Sequence, residues 1–178
     1  MRRISEADIV NHEEMLALWE RHTAYEFDIR DADLTVSTMT DDASVMHLPT
    51  MSGGLGKESL REYYRDVFIP GIPRNTATET VHRSVGGDFL VEELIMRMPH
   101  DQEIPFLLPG LAPTGRNLEV PLLVIVEFRD QLMRSERLYW DQAAVLAQLG
   151  LITAADLPMA DHTEVARFLR DKVMAAPD

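Results

Sequence analysis

The sequence predicts an α+β domain in which helices pack on the concave side of a strongly curved antiparallel sheet. Two helical patterns come first, and four strand patterns in two hairpins follow them. The chain has 178 residues, 46% apolar and 26% charged, which is enough to bury the core of one domain without disulfides. We therefore expect a single domain over 1–178, with its core at about 8–150 and a helical extension at 151–178.

The N-terminal segment, from residue 5 to about 30, has the spacing of a long amphipathic helix. Ser5 and Asp8 form a weak capping box at its start. One stripe of side chains recurs every three or four residues: Met15, Leu18, Trp19, His22, Tyr25 and Ile29. Because nothing near His22 resembles a metal pair, we interpret this histidine as structural.

A short strand and a second helix come next. Residues 41–49 have the composition of a turn and a strand that ends at a proline. A glycine-rich loop at 53–56 then leads to a helix at about 57–69 with an aromatic face. The glycines do not form a phosphate-binding loop, because Met51 and Glu58 stand where that motif requires glycine and a hydroxyl residue.

Period-two patterns predict two hairpins in the second half of the chain. Their strands are expected at 78–85, 89–98, 117–129 and 132–140. In the second hairpin, a two-residue Asp130-Gln131 turn places Arg129 opposite Leu132 and Glu127 opposite Arg134, and predicts an ion pair between the latter two.

The chain between and after the hairpins also has clear signals. Four prolines in 99–116 predict a long loop that could cross a cavity mouth. A short helix at 142–149 ends at Gly150. Asp161 and Glu164 form a capping box for a last helix at about 162–175.

Composition excludes several classes of function. The formal charge of −13 disfavours nucleic acid and anionic membranes as partners. The absence of cysteine excludes disulfides, thiolate nucleophiles and iron–sulfur clusters. Neither a signal peptide nor a membrane span is present in the sequence, so we expect a cytoplasmic protein.

Three segments carry a family resemblance: Leu108–Arg116, Glu119–Phe128 and Glu136–Gly150. They resemble the SnoaL-like branch of the NTF2-like superfamily, which contains polyketide cyclases and proteins named ester cyclases. The resemblance implies a cone-shaped α+β fold with a pocket for a small hydrophobic organic molecule. It implies neither a metal nor an organic cofactor. We also expect a homodimer, formed through the exposed face of the sheet.

The resemblance implies acid/base roles for Asp141 and His82. In the cyclases, an aspartate near the end of the last long strand is the general acid/base, and Asp141 occupies a similar position. The family also places a histidine in the pocket, for which His82 is the nearest candidate. From the residues alone, Asp141 could instead cap the helix that follows it, and His82 could face solvent with its neighbours Thr80 and Ser84.

Five further residues are candidates for substrate binding. Alternation puts Arg137 and Tyr139 on the strand face of Asp141, and the Tyr139 hydroxyl could stabilise an enolate oxygen or simply lie at the rim. The other candidates are Glu93, Tyr63 and Phe68. The leading hypothesis is a cofactor-free cyclase, isomerase or lyase. The alternative is a non-catalytic ligand-binding or dimeric interaction module of the same fold.

Overall fold

The computed structural model describes residues 12–174 and contains one six-stranded sheet with helices on both of its faces. The helices are α1 (His12–Ala24), α2 (Ala32–Ser37), α3 (Lys57–Tyr63), α4 (Ile69–Gly71), α5 (Gln142–Gln148) and α6 (His162–Phe168). The strands are β1 (Met39–His47), β2 (Ser52–Leu55), β3 (Ala77–Gly86), β4 (Phe89–Pro99), β5 (Asn117–Arg129) and β6 (Leu132–Trp140). The Ser5–Asp8 capping box lies outside the described residues.

The sheet has the order β2-β1-β6-β5-β4-β3, and all neighbours are antiparallel except β1 and β6. The two long hairpins agree with the predicted strands and turns. This sheet with its helices is an NTF2-like α+β cone, as predicted. Within residues 12–174, no helix combines the length and the apolarity that crossing a bilayer requires.

Two elements were not predicted, and each has a local cause. Helix α2 is capped by Asp31, whose carboxylate accepts the backbone N–H of Leu34 at 2.9 Å. Strand β2 comes from the glycine-rich segment that was expected to be a loop, and it pairs with β1. A Cβ at Gly53 would lie 2.0 Å from the Val45 carbonyl oxygen, so this close pairing requires glycine.

The hairpin β5–β6 has a shifted register beyond its turn. Arg129 pairs with Leu132 as predicted, but Glu127 pairs with Ser135 because Arg134 is an extra residue that forms a β-bulge. The predicted register at Glu127 was therefore wrong, but the predicted ion pair is present, with the Arg134 guanidinium 3.5 Å from the Glu127 carboxylate. After the bulge, Glu136 and every second residue that follows point to the inner face.

Strand β3 contains a second bulge, at Val81. Thr80 pairs with Leu94, whereas His82 pairs with Glu93, so one residue of β3 has no partner in β4. Thr80 therefore faces inward and His82 faces outward. The prediction that these two residues share a face was wrong for this reason.

The main core fills the space between the inner face of the sheet and the first three helices. Its largest fully buried side chains include Tyr64, Met15, Met39, Leu60, Leu90 and Met133. Helix α1 continues through a wide helical turn at Tyr25–Ile29, and α3 continues through another at Tyr64–Phe68. These turns bring Glu26 and Phe68 to the inside of the domain.

Helix α6 lies on the opposite, outer face of the sheet. Ala166 packs with Val81 and Ile95 in a small second core. Arg170 follows α6 and pairs with the carboxylates of Glu79 on β3 at 3.1 Å and Glu119 on β5 at 2.6 Å. The C-terminal extension therefore covers part of the sheet face through which a homodimer was predicted. The dimer itself stays a prediction.

Candidate functional site

A cavity of about 120 Å³ lies between the inner face of the sheet and the helices that cover it. A similar apolar cavity of about 150 Å³ holds benzene, so this space suits a group the size of one ring. Its aromatic and sulfur-containing wall consists of Trp19, Phe27, Phe68, Phe106, Trp140, Met96 and Met98. Its charged or imidazole side chains are Glu26, His47, Arg83, Glu92 and Glu136. An apolar cavity with a few polar groups is the usual form of a small-molecule site.

His22 lies behind the wall of this cavity and is fully buried. Its Nδ1 is 2.6 Å from the Thr38 hydroxyl, which already donates its proton to the Thr35 carbonyl. Nδ1 must therefore carry a proton and donate it to Thr38. The second ring nitrogen, Nε2, is 3.1 Å from the Glu26 carboxylate. A proton on Nε2 as well makes His22 an imidazolium paired with that carboxylate.

The surroundings of His22 stabilise this charged form. Burial by itself lowers its pKa, but the negative charge of Glu26 and the nearby Glu136 outweigh burial and raise the pKa to about 10. His22 is therefore positively charged at neutral pH. It holds the two buried carboxylates near each other and offsets their repulsion.

Glu136 pairs with the same histidine by charge, but its Oε2 atom accepts no hydrogen bond from the described residues. Its Oε2 is 3.7 Å from His22 Nε2, which is too far for a hydrogen bond, and no described group bonds that oxygen. The side chain is 4% exposed and lines the cavity. Burial raises the pKa of the Glu136 carboxyl, and the nearby Glu26 raises it further against the opposing charge of His22. The cavity lining therefore includes a buried carboxylate with one oxygen that accepts no hydrogen bond within the described part of the chain.

His47 lies at the end of β1 and is 2% exposed. Its Nδ1 is 3.2 Å from the Ser52 carbonyl oxygen and 3.1 Å from the Tyr63 hydroxyl. We assign the ring proton to Nδ1, because the Ser52 carbonyl can only accept, and the Tyr63 hydroxyl oxygen is then an acceptor as well. Burial lowers the pKa of His47 to about 4, despite the opposing charge of Glu136. The ring is therefore neutral at pH 7, and its Nε2 is a buried acceptor without a partner among the described residues.

A second charged group lies on the strands at the other side of the cavity. Glu92 accepts hydrogen bonds from Trp19 Nε1 at 2.5 Å, the Thr80 hydroxyl at 2.6 Å and Arg83 at 2.9 Å. Arg83 also pairs with Glu20 at 3.2 Å. Each charge of the pair thus has an oppositely charged partner, and this group ties α1 to the sheet.

One set of side chains could hold a metal ion. A ligand atom from each of His22, Glu26 and Glu136 lies within 4.8 Å of the others, and all three side chains are buried. Because Thr38 holds the proton on His22 Nδ1, a cation would bind Nε2 and replace the proton there. The expectation that the protein needs no metal or organic cofactor stays a prediction.

The structure places Asp141 at the N-terminus of α5, on the surface. Its carboxylate accepts the backbone N–H of Ala144 at 3.1 Å, which is the bond of a helix N-cap. It does not line the cavity, because residues of β6 alternate in direction and Trp140 is the one that points inward. Its proposed acid/base role therefore has no support from its position.

His82 and three of the predicted substrate-binding residues also lie away from the cavity. His82 is exposed on the outer face of β3 and bonds the Ser84 hydroxyl at 3.0 Å. Tyr139 is 39% exposed, and Arg137 pairs with Glu127 at 2.8 Å on the same outer face. Glu93 is half-buried and points opposite to its inward-facing neighbour Glu92.

The two predicted helix residues lie inside the domain. Phe68 lines the cavity, with its ring centroid 4.8 Å from that of Phe106. Tyr63 is buried just behind the wall and contacts the cavity residue His47. Their roles in binding remain predictions.

The sequence did not identify the buried polar residues of the cavity as a site. His22 and Glu26 are one helical turn apart on the apolar stripe, and Glu136 alternates with Leu138 and Trp140 on an otherwise apolar strand face. Charged side chains on apolar faces were therefore the available signal. Their convergence depends on the packing of α1 against β6, which the sequence pattern does not specify.

Comparison with known proteins supports the fold. No protein-family model matches the sequence, and no curated protein matches it. TsrD from Streptomyces laurentii is similar in structure, with a TM-score of 0.64 at 17% identity, over 80% of this chain and 99% of that protein. A protein described as a SnoaL-like polyketide cyclase, from Jannaschia sp. CCS1, has a TM-score of 0.62 at 21% identity, over 85% and 99%.

A third structure has the same architecture. It is a hypothetical protein with a ketosteroid isomerase-like fold from Catenulispora acidiphila, in complex with trimethylamine. Its TM-score is 0.58 at 15% identity, over 80% of this chain and 97% of that protein. At these identities the comparisons establish the fold, which SnoaL-like and ketosteroid isomerase-like proteins share.

Proposed function

We propose that the protein binds a small organic molecule in the cavity and catalyses a cofactor-free proton transfer, with Glu136 as the general base. The reaction is of the cyclase, isomerase or lyase type. The carboxylate removes an acidic C–H proton, and the protonated carboxyl returns that proton at another position or to a leaving group. No oxidant or reductant is needed, because the proton that leaves the substrate is the only species exchanged.

The free Oε2 atom of Glu136 carries this proposal. In a folded protein a buried carboxylate oxygen normally has a partner, and an unpaired one is costly. Here the Glu136 side chain lines a ring-sized apolar space, and we place a substrate proton there as the hydrogen-bond partner of Oε2. Burial raises the Glu136 pKa, which brings it closer to neutral pH and makes the carboxylate a stronger base.

His22 and Glu26 act as positioning residues in this proposal. The His22 imidazolium keeps Glu136 ionised enough to accept a proton, because it offsets the charge of the second carboxylate. Glu26 fixes the imidazolium through the 3.1 Å contact to Nε2. When Glu136 becomes protonated, the positive charge of His22 remains compensated by Glu26.

The relatives agree with this class of chemistry. One similar structure is described as a SnoaL-like polyketide cyclase, and another with a ketosteroid isomerase-like fold holds the small organic molecule trimethylamine. A general base in an apolar cavity would serve both cyclisation and isomerisation. We place the base at Glu136 rather than at Asp141, since the former lines the cavity and the latter caps a surface helix.

The test uses a generic proton-abstraction substrate, benzisoxazole. A base removes the carbon-bound proton of its isoxazole ring, the C–H electron pair forms a nitrile, and the N–O bond breaks to release a cyanophenolate that absorbs light. We expect saturable ring opening that falls by about a hundredfold or more in Glu136→Gln. The matched surface variant Asp141→Asn should keep the wild-type rate. Equal rates in Glu136→Gln and wild type, or no rate above buffer, would overturn the proposal.

A further inference from the structure

The second unpartnered acceptor in the cavity indicates what kind of molecule the site takes. His47 and Glu136 both lie on the inner face of the sheet, on the neighbouring strands β1 and β6. Their free atoms, Nε2 and Oε2, are both acceptors. A ligand that satisfies both must bring hydrogen-bond donors or acidic protons of its own.

The His47 ring is held so that Nε2 stays an acceptor. We assign its proton to Nδ1, where the Ser52 carbonyl accepts the hydrogen bond. Aromatic rings pack around the imidazole, with centroids at 5.3 Å for Phe106, 5.4 Å for Phe68 and 5.8 Å for Trp140. These contacts prevent the ring from turning toward another partner. Within the described residues, nothing bonds Nε2.

The charges around the cavity disfavour a negatively charged ligand. Three carboxylates line it, from Glu26, Glu92 and Glu136, and Arg83 is the one cation in the described lining. Arg83 Nε is an unpartnered donor, but its guanidinium is already shared between Glu92 and Glu20. A carboxylate ligand would therefore meet like charges without a free cation.

We infer that the cavity takes an uncharged, ring-sized apolar molecule with a hydroxyl donor, and that His47 Nε2 accepts the hydrogen bond from that hydroxyl. This inference rests on the proposed function, because it names the substrate class of the same cavity. The hydroxyl at His47 holds the molecule in one orientation between the aromatic rings. That orientation places another part of the molecule at Glu136 Oε2, where the proton is removed. His47 is thus a specificity-determining residue.

The test compares three one-ring probes: phenol, which has a hydroxyl donor, toluene, which has the same shape without one, and benzoate, which is an anion. Binding is measured by titration calorimetry. We expect phenol to bind about tenfold more tightly than toluene, as one hydrogen bond contributes about that much. Benzoate should not bind. Equal affinities for phenol and toluene, or benzoate binding as tight as phenol, would overturn the inference.

A matched pair of histidine variants assigns the preference to one atom. His47→Leu removes the acceptor in the cavity, whereas His100→Leu removes another buried histidine, bonded to Thr114 and outside the cavity lining. The preference for phenol over toluene should disappear in His47→Leu and persist in His100→Leu. A preference that survives in His47→Leu contradicts the inference.

Two further measurements keep the test decisive. If His47→Leu does not fold, the ¹⁵N resonance of His47 Nε2 in the wild type should move with phenol and not with toluene. An Nε2 chemical shift that does not change when phenol is added contradicts the inference. The phenol preference should also persist in Glu136→Gln. If turnover depends on Glu136 but phenol binds no better than toluene, only this inference is contradicted. If phenol binds better than toluene but there is no Glu136-dependent turnover, only the proposed function is contradicted.

Discussion

Glu136 Oε2 lies 3.7 Å from His22 Nε2, and both side chains are buried between α1 and β6. The Glu26 carboxylate lies 3.1 Å from the same nitrogen. Two buried carboxylates therefore depend on one imidazolium. The same arrangement makes a costly charge cluster tolerable and leaves one oxygen of a cavity-lining carboxylate without a hydrogen bond among the residues that the structure describes. Stability and proposed activity consequently depend on the same three residues.

Removal of His22 should be strongly destabilising. His22→Leu leaves Glu26 and Glu136 buried without their counter-charge, and breaking a buried ion pair in this way costs about 3–5 kcal/mol. Urea unfolding at neutral pH measures this loss. The double variant His22→Leu with Glu26→Leu should recover part of the stability, because it also removes one of the uncompensated charges. A His22→Leu protein as stable as the wild type would show that the cluster is not charged.

Stability should decline on the alkaline side of neutrality. The folded-state pKa of His22 is about 10, above its usual 6.5, so folding retains a proton that the unfolded chain releases. The stabilisation is complete below about pH 6.5 and is lost as the pH rises through about 10. One pKa unit corresponds to about 1.4 kcal/mol, so the total change is several kcal/mol. Urea unfolding across this range should show the decline, and its absence would contradict the raised pKa.

His47 should have the opposite effect on the acid side. Burial lowers its folded-state pKa to about 4, so between about pH 4 and 6.5 the unfolded chain binds more protons than the folded protein. Stability should therefore fall as the pH falls through this window, by about 3 kcal/mol for this group. Urea unfolding of His47→Leu should show a shallower acid-side decline than the wild type. An identical decline in both proteins would assign it to other groups.

Asp141 should contribute to stability and not to turnover. Asp141→Ala removes the N-cap bond to the Ala144 N–H and should cost about 1 kcal/mol, measured by thermal unfolding. Asp161→Ala, at the N-cap of α6, provides a comparison with the same chemistry. Benzisoxazole opening by Asp141→Ala should proceed at the wild-type rate. A variant that is fully stable but inactive would restore the acid/base role predicted from the family resemblance.

The sequence predicted the order of the elements well because their patterns are local. Periodicity identified both hairpins, and the capping residue Asp161 marked the start of α6. Strand β2 was missed because its glycines have no strand propensity of their own. It forms because Gly53 allows β1 to approach closely, and that approach is a tertiary effect.

The site was harder to predict because two single-residue bulges determine which side chains face inward. Val81 in β3 turns His82 outward, and Arg134 in β6 precedes the inward-facing Glu136. A bulge changes the face of every following residue, while the sequence pattern around it changes little. The family resemblance implied an acid/base role for Asp141. This residue lies two positions after Tyr139, which is on the outer face of β6. The buried acids were visible as charges on apolar faces, but their meeting point required the fold.

The pH dependence of benzisoxazole opening tests most directly whether Glu136 is the base. The rate should rise with pH through one apparent pKa that is higher than the usual carboxyl value of 4.5, because burial raises the Glu136 pKa. The ¹³C resonance of the Glu136 carboxyl should titrate with that same apparent pKa. We expect the two curves to coincide and the pH-dependent rise in rate to disappear in Glu136→Gln. A rate limb at a different pKa from the Glu136 resonance, or one that remains in Glu136→Gln, would contradict it.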